Sequence, residues 1–295
     1  MRRVGVLQFV SALEPVVEGF RGGLAELGLE EGQGVEYVYR NVEGQVDQLS
    51  AAVALLDQQA DLILACGTPS AKAAASQSAR PVVFAPVFDP VGAGLVERAD
   101  RPGRNVTGVS GLFPGDRKLD LLNELFPGLA DVTIIYSPQD PNSPAEVATL
   151  ETAGARRGIK VRRAAVADSE TLAATLPQIM GEAKVILLSL DRLTDGELDR
   201  IAAAARTAGK PLVAHNGAGV RRGALLALEA DPAHLGRRAA SLAYRILNGA
   251  DPARVPVEYA VEARLVLNAG VAATIGYHLP ATVRPDEVVP AESGV

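Results

Sequence analysis

Two short stretches place hydroxyls, a carboxylate and flexible glycines directly behind apolar runs. Gly67-Thr68-Pro69-Ser70 follows residues 62–66, and Phe88-Asp89-Pro90-Val91-Gly92-Ala93-Gly94 follows residues 81–86. An apolar run bounded by turn residues reads as a buried strand. Pro69 and Pro90 suit a first helical position, where the N–H that proline lacks would be unpaired anyway. Two strand ends feeding two helix starts would bring free N–H groups and positive dipole ends into one cleft, a place for a carboxylate or phosphate. The chemistry indicated is anion capture.

Covalent chemistry finds little support. The chain has no G-x-x-x-x-G-K-[ST] phosphate loop. Gly217-Ala218-Gly219 with Gly223 misses the dinucleotide spacing and reads as a basic loop. Gly108-Val109-Ser110-Gly111 fails the G-x-S-x-G elbow at its last position. His215, His234 and His278 are too far apart for metal-ligand spacing. His234 and His278 read as surface residues, and His215 sits at a strand end. Neither a metal nor a cofactor is expected. Asp89 and Asp191 each follow a strand. Acid–base catalysis, helix capping and recognition of a cationic group such as an α-amino group are open to them. Recognition is favoured, because no nucleophile or histidine stands beside either.

Those residues need elements to position them. Strand is expected at 4–9, 35–40, 105–110, 132–136, 160–166, 185–190, 211–214 and 224–228. Helix is expected at 14–27, 45–58, 115–126, 143–157, 170–180, 194–208 and 232–247, from apolar spacing and punctuating Gly, Pro, Asp and Asn. Residues 257–266 read as extended chain, Asn268 starts a short last helix, and 283–295 reads as a disordered tail. The alternation implies an α/β fold of doubly wound parallel sheets. The run from Val4 and the run from Val132 share one order, so two similar lobes are expected. In such sheets ligands sit beyond the carboxyl ends of the strands. That rule selects Gln8, Thr68, Pro69, Ser70, Phe88, Asp89, the segment from Tyr136 to Asn142 and Ser143, Asp191, His215 and Asn216. Phe88 also fits a core position, and plain N-capping also accounts for Thr68, Ser70, Asn142 and Ser143.

Composition narrows the function. The chain has 295 residues, 48% of them hydrophobic, enough for two cores. A net charge of −6 argues against a nucleic-acid or anionic-membrane surface. Cys66, the one cysteine, lies in an apolar run and reads as a buried free thiol. No run approaches the ~20 apolar residues of a membrane span, and strand begins almost at once, with no signal segment before it.

Several blocks then resemble a known family. These are Gly67-Thr68-Pro69-Ser70-Ala71, Val82-Val83-Phe84, Asp89-Pro90-Val91-Gly92-Ala93-Gly94-Leu95-Val96 and Pro102-Gly103-Arg104-Asn105-Val106-Thr107-Gly108-Val109-Ser110. Asn142-Ser143, Gly223-Ala224, Leu235-Gly236-Arg237 and Leu267-Asn268 follow in order. The chain is similar in these to ABC-transporter substrate-binding proteins of the tryptophan/tyrosine type. That resemblance implies the type I periplasmic-binding fold. Two lobes, 1–109 with about 229–258 and 110–228 with about 259–282, are joined by three hinge crossovers and close on a small ligand. It implies a monomer outside the cytoplasm, its leader not in this chain, that hands an amino acid to a membrane permease without converting it. Gln8, Thr68, Ser70, Asp89 and Ser110 match cleft positions of the first lobe, and Asn142, Ser143 and Asp191 those of the second. Few aromatic residues are present, 4% and no Trp, so an aromatic or an aliphatic ligand is allowed. The competing expectations are the sensor half of a regulator and an enzyme acting through Asp89 and Asp191.

Overall fold

The computed structural model describes residues 1–140 and 143–290. Its elements are β1 (Arg2–Gln8), α1 (Glu14–Glu26), β2 (Val35–Asn41), α2 (Leu49–Gln59), β3 (Leu62–Cys66), α3 (Thr68–Gln77), β4 (Val82–Phe84) and β5 (Val106–Ser110). Next come α4 (Gly115–Leu125), β6 (Asp131–Tyr136), α5 (Ser143–Arg157), β7 (Lys160–Ala165), α6 (Ser169–Glu182), β8 (Ile186–Leu188), α7 (Arg192–Gly196) and α8 (Leu198–Thr207). The remainder are β9 (Leu212–Ala214), α9 (Gly217–Arg221), β10 (Leu226–Ala230), α10 (Pro232–Leu247), β11 (Glu258–Tyr259), β12 (Ala263–Asn268), α11 (Ala269–Ile275) and β13 (Glu287–Val289). The strands form a six-stranded sheet, β11-β5-β4-β3-β1-β2, and a seven-stranded sheet, β13-β12-β10-β9-β8-β6-β7. The registered strand pairs are parallel. Two units result, Met1–Phe113 with Ala230–Glu262 and Pro114–Glu229 with Ala263–Val295, so the chain passes between units three times.

Period-two alternation sorts the first sheet's side chains onto two buried faces, as a parallel sheet covered on both sides requires. Val4, Val6, Leu62, Leu64 and Cys66 share a core with Val16, Val17, Phe20 and Leu24 of α1 and Leu235, Ala239 and Ala243 of α10. Leu7, Ile63, Ala65 and Phe84 point the other way, into a core with Val53 and Leu56 of α2 and Ala71 and Ala74 of α3. In the second unit Ile135, Ile186, Leu188 and Leu212 share a core with Leu172 and Leu176 of α6 and Ile201 and Ala205 of α8.

The α1–α10 crossing is built on glycine. A Cβ added to Gly236 would lie 2.0 Å from the Val16 carbonyl oxygen, and one added to Gly19 2.1 Å from that of Ala233. The two backbones therefore touch, and no side chain fits between them. Gly236→Val is expected to destabilise the first unit by ~3 kcal/mol, the upper end of overpacking effects, seen as a lower urea midpoint at unchanged slope. Gly22→Ala on the same helix, where nothing lies within 4 Å, is the control. It should raise stability by ~0.5–1 kcal/mol through helix propensity. Equal midpoints for the two variants would remove the crossing as the cause.

Several expectations need correction. The segment from Phe88 to Gly94 is a series of turns and starts no helix, so Pro90 is not a first helical residue. Phe88 is 44% exposed and is not core. Gly217-Ala218-Gly219 opens the short helix α9 rather than a loop. The helix expected at 194–208 is two helices, because the Asp191 cap starts α7 early and α8 begins afresh at Leu198. The expected disordered tail contains β13, which adds to β12 in parallel through Val266↔Glu287 and Asn268↔Val289. His234 is not a free surface residue. Its Nδ1 lies 3.2 Å from Glu262 Oε2, and its side chain is 17% exposed.

Candidate functional site

In the first unit, β1 and β3 run side by side with Gln8 opposite Cys66. The chain leaves β3 through Gly67 at φ 90°, a conformation that a side chain would strain, and enters α3 at once with Pro69 in its first turn. The first N–H groups of any helix lack an intrahelical acceptor. At the starts of α6, α7, α9, α10 and α11 a side chain supplies one: Asp168, Asp191, Asn216, Asp231 and Asn268 accept from the third residue beyond them, whereas α1, α2, α4 and α8 have no side-chain cap. Gly67 has nothing to offer, and α3 carries no side-chain cap. Two buried donors stand at the same strand ends without partners, Ser70 Oγ and Gln8 Nε2. Their residues are 0% and 4% exposed. A helix end without a side-chain acceptor, with two unpartnered donors beside it, can receive a negatively charged group.

The loop after β4 is tied to the end of β5, where the Val87 N–H donates to the Val109 carbonyl. Asp89 Oδ1 accepts the Gly92 N–H at 2.9 Å, so the carboxylate closes its own turn. Ser110 Oγ donates to the Phe88 carbonyl at 2.7 Å and accepts from the Leu112 N–H at 3.2 Å. Ser110 thereby fixes the backbone that presents the Phe88 ring. Tyr259, at the end of β11 beside Ser110, is half-buried. Burial, and then the nearby Asp89 carboxylate, raise its phenol pKa.

In the second unit a buried polar network underlies the strand ends. Asp191 Oδ2 accepts from the Ser137 N–H at 2.9 Å and from Ser143 Oγ at 3.0 Å, while Oδ1 caps α7 through the Thr194 N–H at 2.7 Å. Ser189 Oγ lies 2.9 Å from Ser143 Oγ and 2.8 Å from Glu146 Oε2. Glu146 Oε1 in turn meets Lys118 Nζ at 2.5 Å. Burial alone would push the Glu146 pKa up, but Lys118 beside it, the His215 imidazole and the Ser189 hydroxyl together outweigh that and hold it at about 2. Ser189 and Asp191 of this network also line a cavity of ≈ 420 Å³, whose lining further includes apolar Leu188, Leu190, Leu198 and Ala214 and polar Asp140, Arg192, Thr194, Asp195, His215 and Asn216. Asn216 Oδ1 caps α9 through the Gly219 N–H at 3.0 Å.

A family model for ABC transporter substrate-binding proteins matches residues 3–289. The chain belongs to that family. A tyrosine-binding protein of Clostridioides difficile (strain R20291) is 27% identical over 271 residues, covering 90% of this chain and 79% of the relative. The ligand-free, open structure of a substrate-binding protein with adhesive properties from Clostridium difficile superposes with a TM-score of 0.83 at 25% identity, covering 99% of this chain and 100% of that one. The ABC domain from Streptococcus pneumonia in complex with L-Trp gives 0.66 at 28% identity, over 98% and 99%. The two α/β units are those of the type I periplasmic-binding fold, as the resemblance implied.

Within this substrate-binding protein the expected site residues divide by what their polar atoms already do. Ser70 and Gln8 keep free donors, and Thr68 and Pro69 form the first turn of α3 beside them. Phe88 presents an exposed ring. Ser110, Ser143 and Asp191 are buried and hydrogen-bonded within the protein, and Asp191 also lines the cavity. Asn142 lies outside the described residues. Sequence reading missed Tyr259, Lys118, Glu146 and Ser189. Ser189 directly follows β8 and Tyr259 ends β11, but both fall inside the longer extended stretches expected at 185–190 and 257–266, so the strand-end rule passed over them. Lys118 and Glu146 sit on helices and gave no such signal.

Proposed function

We propose that this substrate-binding protein captures a free amino acid, with its α-carboxylate seated on the start of α3. The observation that carries the reading is the uncapped helix end with Ser70 Oγ and Gln8 Nε2 buried and unpartnered beside it. A carboxylate there completes the cap, accepts both donors and meets the positive dipole end. Exposed Phe88 and Val91, with half-buried Tyr259 nearby, suit an apolar or aromatic body. Relatives that bind tyrosine and L-Trp point the same way. A helix end contributes at most ~2 kcal/mol, and micromolar capture needs ~8 kcal/mol. Hydrogen bonds to the charged carboxylate and burial of the apolar body supply the rest. The protein works outside the cytoplasm as a monomer, delivers its ligand to a membrane permease and leaves it chemically unchanged. Among the described residues no helix is long and apolar enough to cross a membrane.

Calorimetry with L-tyrosine, L-tryptophan and L-leucine tests this, each run against its amide. The amide keeps size and ammonium but loses the negative charge, so its affinity should be at least about tenfold weaker, as expected for losing a charge-assisted hydrogen bond. Ser70→Ala should weaken the free acid by about tenfold on the same ground, and the amide much less. Acid and amide binding equally well would defeat the assignment.

A further inference from the structure

The start of β6 gathers polar groups that nothing satisfies. Thr133 lies opposite Arg162 in the register of β6 and β7. Asp131 precedes Thr133 by two residues and so shares its face of the sheet. Thr133 Oγ1, Arg162 Nε and Asp131 Oδ1 are shielded from water and make no hydrogen bond. Arg162 Nε stands 3.5 Å from Asp131 Oδ1, an ion pair too poorly aligned to satisfy either atom. Buried polar groups are normally paired, so a cluster of three calls for an occupant. Room for one lies beside it, a cavity of ≈ 210 Å³ lined by Thr133, by Arg162 and Arg163 of β7, and by Thr175, Gln178 and Glu182 of α6. Ala164, Ala165 and Ile179 complete its wall. It shares no residue with the cavity at Asp191.

We propose that the second unit carries a separate site, between β7 and α6, for a small zwitterion of the size of glycine or alanine. Its carboxylate meets Arg162 and the Thr133 hydroxyl, and its ammonium turns toward the carboxylates of Asp131 and Glu182. The charges around the cavity select this class. Arg162, Arg163 and Lys184 balance Asp131, Glu151 and Glu182, so a ligand of either net charge gains little, while one carrying both signs finds a partner for each. Neighbouring groups are already engaged: Arg163 Nε donates to Glu151 at 2.6 Å, and Thr175 Oγ1 donates to the Thr171 carbonyl at 2.8 Å. Volume limits the size, since sites for drug-sized ligands begin at ~300 Å³. The site lies within one unit and does not depend on the seat at α3.

Backbone ¹H–¹⁵N spectra of the full chain, titrated with glycine, test this. Saturable shifts are expected at Thr133, Arg162 and Gln178. Glycolate lacks the ammonium and ethanolamine lacks the carboxylate. Each should bind there at least about tenfold more weakly than glycine, the cost of a lost charge-assisted hydrogen bond. Thr133→Val keeps the shape and removes the hydroxyl. It should weaken glycine at these residues by about tenfold and leave L-tyrosine binding unchanged, whereas Ser70→Ala should do the reverse. Arg162→Gln, which removes the charge, gives the same reading should Thr133→Val fail to fold. Absence of shifts at all three residues, as water alone in the cavity would give, overturns the site. Glycolate or ethanolamine binding as tightly as glycine overturns it too, as do glycine shifts that survive both variants. L-Tyrosine and glycine report on different residues, so failure of the seat at α3 and failure of this site are seen separately.

Discussion

Thr68→Asp is expected to abolish amino-acid capture while leaving the fold as stable as before or slightly more so. Thr68 is the first residue of α3 and partly exposed. A carboxylate there sits on the positive end of the helix and is favoured by ~0.3–1 kcal/mol. The ligand's carboxylate would then approach a like charge. At ~5 Å and an effective dielectric of ~20 the repulsion is ~3 kcal/mol, a loss of roughly two orders of magnitude in affinity. The new side chain would also occupy the donors that the ligand needs. Thr68→Asn, similar in size and uncharged, separates charge from shape and should lose far less. Calorimetry reads the affinity and urea unfolding reads the stability. If Thr68→Asp bound its amino acid as well as Thr68→Asn does, the start of α3 would not be where the carboxylate sits.

Glu146→Ala is expected to cost the second unit ~3–5 kcal/mol, the range for removing one partner of a buried ion pair. The side chains of Lys118 and Glu146 are 14% and 10% exposed, and their heads meet at 2.5 Å. Removing the carboxylate strands the ammonium in a poorly solvated site and also strips an acceptor from Ser189 Oγ and the Leu190 N–H. Adding Lys118→Met should restore much of the loss, since an apolar pair avoids both desolvation costs. Acid sensitivity gives a second test. The Glu146 pKa is lowered in the folded state from its ordinary 4.5 to about 2, and a group lowered on folding contributes stability above its unfolded value and loses it as pH falls toward the folded one. The wild type should therefore lose ~3 kcal/mol between pH 5 and 2 through this one group, and Glu146→Ala should lack that component. Urea midpoints across this range, read with hydrogen exchange at β6 and β8, measure it. Equal acid sensitivity in wild type and variant would show that the pair contributes little.

Legibility in the sequence followed the range of the interaction involved. α5 and α10 fall at the expected bounds because their starts and ends are written locally. Asp231 accepts the His234 N–H, Pro232 follows it, and apolar spacing fixes the buried face. Cys66 was readable as a buried thiol because its whole strand is apolar. β13 was not, because Glu287–Val289 becomes a strand only by pairing with residues some twenty positions earlier. The rule that ligands sit beyond strand ends brought out Gln8 and Ser70, but residue type could not separate free groups from engaged ones. Ser110 and Ser143 have the same chemistry as Ser70 and differ only in meeting Phe88 and Asp191. Asp89 was read as a helix start because Asp-Pro commonly opens a helix. Here the carboxylate closes a turn on Gly92, and the chain turns away. The Lys118–Glu146 pair spans 28 positions and two helices, so no local pattern could announce it.

The glycine seam between α1 and α10 has a consequence for how the protein is made. The face of α1 that bears Val16, Val17, Phe20 and Leu24 owes part of its cover to Leu235, Ala239 and Ala243 of α10, which leave the ribosome more than two hundred positions later. At roughly 5–20 residues per second that delay is ~10–40 s. Throughout it the nascent chain carries a partly uncovered apolar stripe and a sheet still waiting for one edge strand, β11. For a protein proposed to act beyond the cytoplasmic membrane, such late closure keeps the polypeptide threadable until synthesis is nearly finished, a state that suits export before folding.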